Sequence, residues 1–191
     1  GLYKKFDAAL LFHIQAQDLF VNEALDMVRK YASSMPHDDM SKDQLKEMRE
    51  LMDYAIALEA AGDIIVKRLL PLAKEKSQKG IKLSAVGFSE LLAINDQVEV
   101  NLKTATNVLI SSDLMAARLL LEEKTEMARM ERSSRKKHLR RLSDGDADSA
   151  KSSDIHLETA YTLKEFNSWI ISVAHPILVR EGQLLSSRLV E

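Results

Sequence analysis

Glu59 and Asp63 stand four residues apart in "ALEAAGDIIV" (57–66), two acids in a small, apolar stretch with Gly62 between them. At 100° per residue they fall between Met52 and Ile56 on one side and Val66 and Leu70 on the other, so a helix would place them on or beside its apolar face. Acids at i and i+4 repel by a few tenths of a kcal/mol when exposed, and an unpaired buried carboxylate costs several kcal/mol, so a counter-charge is required. Asp18 holds an equivalent place between Ile14 and Val21, with Asn22 one turn further on. Together Asp18, Asn22, Glu59 and Asp63 make an all-oxygen set of the kind that suits magnesium, calcium, manganese or iron. The competing reading pairs the acids with Lys67, Arg68 or Arg29 at a helix edge. Glycine in the stripe costs about 1 kcal/mol in helix propensity but admits another backbone or an ion at close range.

Other chemistry is sparse. There are no cysteines, so disulfides, thiolate ligands and thiol nucleophiles are excluded. His13, His37, His138, His156 and His175 are dispersed, without the Glu-x-x-His pairing of di-iron bundles. The chain has no phosphate-binding glycine loop, no nucleophile elbow and no zinc-protease helix motif, and the expectation is a protein that is not an enzyme. Arg129, Arg132, Arg135, Lys136, Lys137, His138, Arg140 and Arg141 form a basic run at the end of a helix, where cations favour the dipole. Its functional reading is contact with anionic lipid or with phosphate at Arg132, Arg135, Arg140 and Arg141. Nucleic acid is not expected, because the run lacks interleaved aromatics and the net charge is −2.

The elements that position these residues are helices throughout. Only six glycines and three prolines punctuate 191 residues that are 46% hydrophobic, and no period-2 pattern is sustained. Five long helices are expected. The first runs from about Tyr3 to Ser33 on a stripe of Asp7, Leu11, Ile14, Asp18, Val21, Leu25 and Val28, and ends before Pro36. A capping box, "SKDQ" at 41–44, opens the second, whose stripe includes Leu51, Leu58, Gly62, Ile65 and Leu72, and Gly80 closes it. The third begins near Ser84 and carries Phe88, Leu91, Val98, Leu102 and Leu109 to a break at "ISSD". The fourth reaches about Leu142, residues 143–154 read as one long loop, and the fifth carries Leu163, Phe166, Ile170, Val173, Ile177 and Leu184 with a kink at Pro176. Short connections favour antiparallel packing, with residues 1–82 as a two-helix piece and residues 83–191 as a three-helix piece.

Several segments resemble a known family. "LEAAGDIIV" is similar to the metal-binding motif of PhoU-like proteins. With "LSAVGFSEL", "EKTEMARMERSSRKKHLRRL" and "IHLETAYTLKEFNSWIISVAHPIL", it resembles the cytosolic PhoU-like domain of sodium/phosphate cotransporters over most of residues 10–190. Within these segments the matching residues are His138, Leu139, Arg141 and Leu142, then Ile155, His156 and Leu157, then Asn167 and Ser168.

The resemblance implies all-α, PhoU-like antiparallel bundles: an incomplete first repeat lacking its first helix, then a complete three-helix repeat. It implies a regulatory domain in phosphate transport and homeostasis, cytoplasmic and attached to the inner or plasma membrane through a transmembrane part outside this chain. The alternative is a metal-free helical interaction module, and a homodimer is an allowed assembly. It also implies that Asp18, Asn22, Glu59 and Asp63 hold a divalent or ferric metal such as iron, zinc, manganese or magnesium. Asn22 stands where the family usually has a carboxylate, and Lys164 and Ser168 replace the acid pair on the last helix. A metal is therefore expected in the first half only.

Overall fold

A computed structural model describes residue 3, residues 6–36 and residues 39–184. The expectations that touch Gly1, His37 or the end of the chain beyond 184 lie outside the described residues, as do Lys4 and Lys5 of the first helix. Helix α1 is Ala8–Ser34. It starts later than its stripe predicted because Asp7, taken for a stripe residue, is the cap: its Oδ1 accepts from the backbone N–H groups of Ala9 (2.8 Å) and Leu10 (3.2 Å). The expected capping box opens α2 (Lys42–Ile64), with Ser41 and Gln44 bonding each other's backbone reciprocally.

The second long helix is not regular throughout. A π-helical turn, Ile65–Leu69, joins α2 to α3 (Leu70–Gln78), and the Leu70 N–H bonds back to the Ile65 carbonyl. Pro71 accounts for it. Proline has no N–H for the Lys67 carbonyl, and its ring crowds that carbonyl, so the ladder widens just before it. Gly80, at φ +60°, then ends the run as expected.

Helix α4 (Ala85–Ser111), capped by Ser84, and α5 (Leu114–Ser143), capped by Asp113, are joined by a tight turn with Ser112 in the left-handed region at φ 52°. The polar stretch 143–154 is not the single loop its composition suggested. Asp146 caps a short helix there, α6 (Ala147–Lys151), which runs almost directly into α7 (Ser153–Ile171). The last helix breaks at Ser172–Val173, before α8 (Ala174–Arg180). The break precedes Pro176 by one turn because the proline ring displaces the carbonyl four residues earlier, that of Ser172.

The fold is all-α, with no strand among the described residues. Its main core joins α4, α5, α7 and α8 around Ile94, Leu120, Met127, Ile170 and Leu178, and Tyr54 and Ala57 of α2 pack into the same core. Tyr54 also donates its hydroxyl to the Ile170 carbonyl at 3.3 Å. The buried stripe of α4 is Leu91, Ile94, Val98, Asn101, Ala105 and Val108, whereas Leu102 and Leu109 are exposed. A polar Asn101 in the true stripe makes the neighbouring leucines look like the core face. Helix α1 is attached more lightly. Leu25 is its one buried residue among those described, and Leu11 and Ile14 lean on a small cluster at Leu70 and Ala73.

Candidate functional site: an acidic seam and a buried histidine network

The seam between α1 and α2 gathers the residues singled out by spacing. Gly62 sits beneath Asp18: a Cβ at that position would lie 3.1 Å from Asp18 Oδ1 and 3.8 Å from the Val21 methyl. The glycine therefore lets α1 approach with a carboxylate at the contact point. Asn22 donates its amide to Asp18 Oδ2 at 3.4 Å. Asp63, with its side chain 28% exposed, accepts from Lys67 Nζ at 2.6 Å. Lys67 is held above the ordinary lysine range first by that bond to Asp63, with the charges of Glu59 and Asp18 adding to it. All three acids thus share the field of one ammonium group.

The donor chemistry of this seam suits a hard cation. As arranged, however, Lys67 takes one of the Asp63 oxygens, and no three His, Cys, Asp or Glu side chains among the described residues converge on a common point. The seam in this arrangement fits a lysine ammonium better than a metal ion, which would have to displace it.

On the last helix, Lys164 lies 3.7 Å from Glu131 Oε2 and 4.5 Å from the Tyr161 ring centroid, and Ser168 bonds its own helix backbone. Glu131 is buried and also bonds Arg135, so the position is neutralised by two cations. Of the basic run, Arg129, Arg132, Arg135, Lys136, Lys137 and Arg140 are exposed, whereas His138 is buried and Arg141 is half-buried.

Arg141 belongs to a second cluster, at one end of the α4–α5–α7 bundle. It grips Glu90 with both arms, Nη1 to Oε1 at 2.9 Å and Nη2 to Oε2 at 3.1 Å, and both side chains are nearly buried. Its Nε donates to Ser149 at 3.1 Å, and the Ser149 hydroxyl donates to Ser84 at 3.2 Å. Ser134 donates to Glu90 Oε2 at 3.1 Å and lies 3.0 Å from His156 Nε2. His156 stacks on His138 with ring centroids 4.6 Å apart, and His138 Nε2 meets the Ser153 hydroxyl at 3.0 Å. Gly87 makes room for the group, since a Cβ there would stand 3.2 Å from His156 Nδ1 and 3.3 Å from Arg141 Nη2.

Burial pushes His156 down to about 4, helped by the His138 and Arg141 charges against the pull of Glu90. His138 is lowered too, first by burial and then by Arg141. Both rings are therefore neutral at pH 7 and act as hydrogen-bonding parts of the bundle end.

Spacing did not single out Glu90, Ser134 or Ser149. Three of the segments that carry the family resemblance nevertheless converge here: Ser84, Gly87 and Glu90 from the first, His138 and Arg141 from the second, and His156 from the third.

Over 163 residues, 85% of its length, the chain is 29% identical to the protein named "Putative inorganic phosphate export protein YjbB" from Salmonella typhimurium (strain LT2). It is 27% identical over 158 residues to the protein of the same name from Escherichia coli (strain K12), and likewise to that from Escherichia coli O157:H7. The chain spans under a third of the length of these relatives, 29 to 30%. No protein-family model matches the chain. No solved structure matches it significantly.

Proposed function

We propose that this chain is a PhoU-like regulatory domain of a phosphate transport protein, with a controlling rather than a catalytic role. The observation that carries the reading is the similarity, over 85% of the chain, to a protein named "Putative inorganic phosphate export protein YjbB". The buried Glu90–Arg141–His156 network supports it, because it explains why segments far apart in sequence share the resemblance. The membrane part of a transporter, of the sodium/phosphate kind, is the partner to which the domain would dock. No helix of the described chain is long and apolar enough to cross a membrane.

The test is phosphate flux in cells from whose gene the coding region of residues 1–191 has been removed in frame. A changed dependence of flux on phosphate supply supports regulation, and unchanged flux at every supply level retires it.

A metal-binding version of the same reading requires a cation to displace Lys67 from Asp63. Elemental analysis of chelator-free protein beside Asp63→Ala decides it. Stoichiometric metal in the parent and none in the variant assigns a metal to Asp18, Asn22, Glu59 and Asp63. No metal, or equal metal in both, leaves Lys67 as the seam's cation and the domain as a metal-free interaction module.

A further inference from the structure

Residues 129–141 carry seven Lys or Arg against one Glu, a local surplus of six positive charges in a chain whose net charge is −2. The fold divides these cations into two groups. Arg129 bonds Glu126, Arg135 bonds Glu131, and Arg141 is turned inward to Glu90. The side chains of Arg132, Lys136, Lys137 and Arg140 are exposed and form no hydrogen bond or ion pair among the described residues. Arg132, Lys136 and Arg140 recur every four residues, so they follow one line along the outer side of α5 over roughly 12 Å, with Lys137 beside it. Leu139, 51% exposed, stands within the same span. The helix dipole accounts for Arg140 alone, because its effect fades within the last turn.

We propose that this row is a docking surface for the anionic headgroups of a bilayer. Its shape decides against one small anion. A phosphate ion needs donors that converge on a single point, whereas these four cations are spread along a convex helix. A plane of headgroups offers each cation its own partner, and Leu139 can enter between them. Nucleic acid fits less well, because the row has no aromatic side chain and the remainder of the chain carries a surplus of acids. At about fivefold in affinity for each cation near such a surface, four give half-saturation near roughly 1 mM lipid. That is too weak to hold a free domain on a membrane and strong enough to orient one already tethered beside it, a role that rests on the reading of this chain as part of a transport protein.

Co-sedimentation of the chain with vesicles tests this. Vesicles of equal parts phosphatidylglycerol and phosphatidylcholine should retain the chain at about 50 mM salt, phosphatidylcholine alone should not, and about 500 mM salt should release it. Arg132→Gln with Arg140→Gln should weaken binding about 30-fold, with an unchanged far-ultraviolet dichroism spectrum and melting temperature. Lys30→Gln with Lys103→Gln, at exposed cations on α1 and α4, removes the same charge and should leave binding within about twofold, because both lie more than a Debye length from a bilayer seated on the row.

No binding at about 10 mM anionic lipid, tenfold above the expected half-saturation, overturns the proposal. So does equal binding to neutral vesicles, or an equal loss in the two double variants. Release by inorganic phosphate beyond that by chloride at the same ionic strength gives the row to the free ion, and tighter binding to duplex DNA than to vesicles gives it to nucleic acid; either result overturns the bilayer as occupant. The regulatory reading is decided separately, by phosphate flux.

Discussion

At the seam between α1 and α2, Asp63 finds its cation four residues away in Lys67, whose side chain is 68% exposed. At the end of the α4–α5–α7 bundle, Glu90 finds its cation 51 residues away in Arg141, whose side chain is 14% exposed. The first pair closes within one helix, in water, so it adds little to stability and leaves the carboxylates open to a competing cation. The second cannot form until two helices, α4 and α5, have met. Burial then makes each partner costly to leave alone, and the pair specifies how the helices register rather than merely neutralising a charge. The half of the molecule with the cheaper pairing is also the half with the more lightly attached helix.

This contrast can be broken most forcefully at Glu90. Glu90→Ala leaves the Arg141 guanidinium nearly buried and unpaired, and should cost about 3–5 kcal/mol in urea denaturation. Asp63→Asn should leave the urea midpoint nearly unmoved. Equal losses at both sites would erase the distinction.

Acid should separate the two regions next. His156 takes up a proton near pH 4 when folded, against about 6.5 when unfolded. Between those values the unfolded chain binds the extra proton, so stability is complete above about pH 6.5 and is lost as the pH falls toward 4. The lowered His138 acts in the same direction. For His156 alone the full loss is roughly 3 kcal/mol. Urea midpoints measured from pH 7 to pH 4 should fall steeply in the parent and more shallowly in His156→Gln, once each is compared with its own value at pH 7. Parallel curves would show that the histidine is not the source.

The smallest of the three effects belongs to the seam. Gly62→Leu should push α1 off its contact at Asp18 and cost about 1–3 kcal/mol. Hydrogen exchange should quicken in α1 while α4, α5 and α7 keep their protection. A loss shared equally by every helix would mean that α1 is not a separate, more lightly held element.

Much of the fold was legible because its signals are local. The Ser41–Gln44 box, the stop at Gly80 and the break at Ser112–Asp113 are each written within a few residues. Asp18, Gly62 and Asp63 could be singled out for the same reason, since helical periodicity places them without knowledge of any partner. The buried network was hidden because its bonds span 44 and 51 residues, from Glu90 to Ser134 and to Arg141. Spacing alone does not distinguish, among the arginines of a basic run, the one that turns inward. Helix α6 was missed because Asp and Ser are read as loop formers before they are read as caps. Leu91 and Val98 of the α4 stripe are buried as expected, but at Leu102 and Leu109 the stripe was displaced by one residue because Asn101 is buried while donating to Asn167 at 2.9 Å, a bond visible only once α7 is in place.

The π turn at Ile65–Leu69 acts as a phase insulator. By taking an extra residue into one turn, it offsets α3 by roughly 100° relative to a regular continuation of α2. Just before it, Gly62 meets Asp18 and Val21 of α1. At the turn itself Arg68 reaches the other way, to Glu158 at 2.6 Å and to Glu165, both on α7. A single helical rod thereby keeps contact with both α1 and α7 on either side of the turn, through Gly62 and Tyr54 before it and through Leu70, Ala73 and Arg68 from it onward. Substitutions that retune the acidic side need not rotate the arginine clamp, so the two contacts can drift independently.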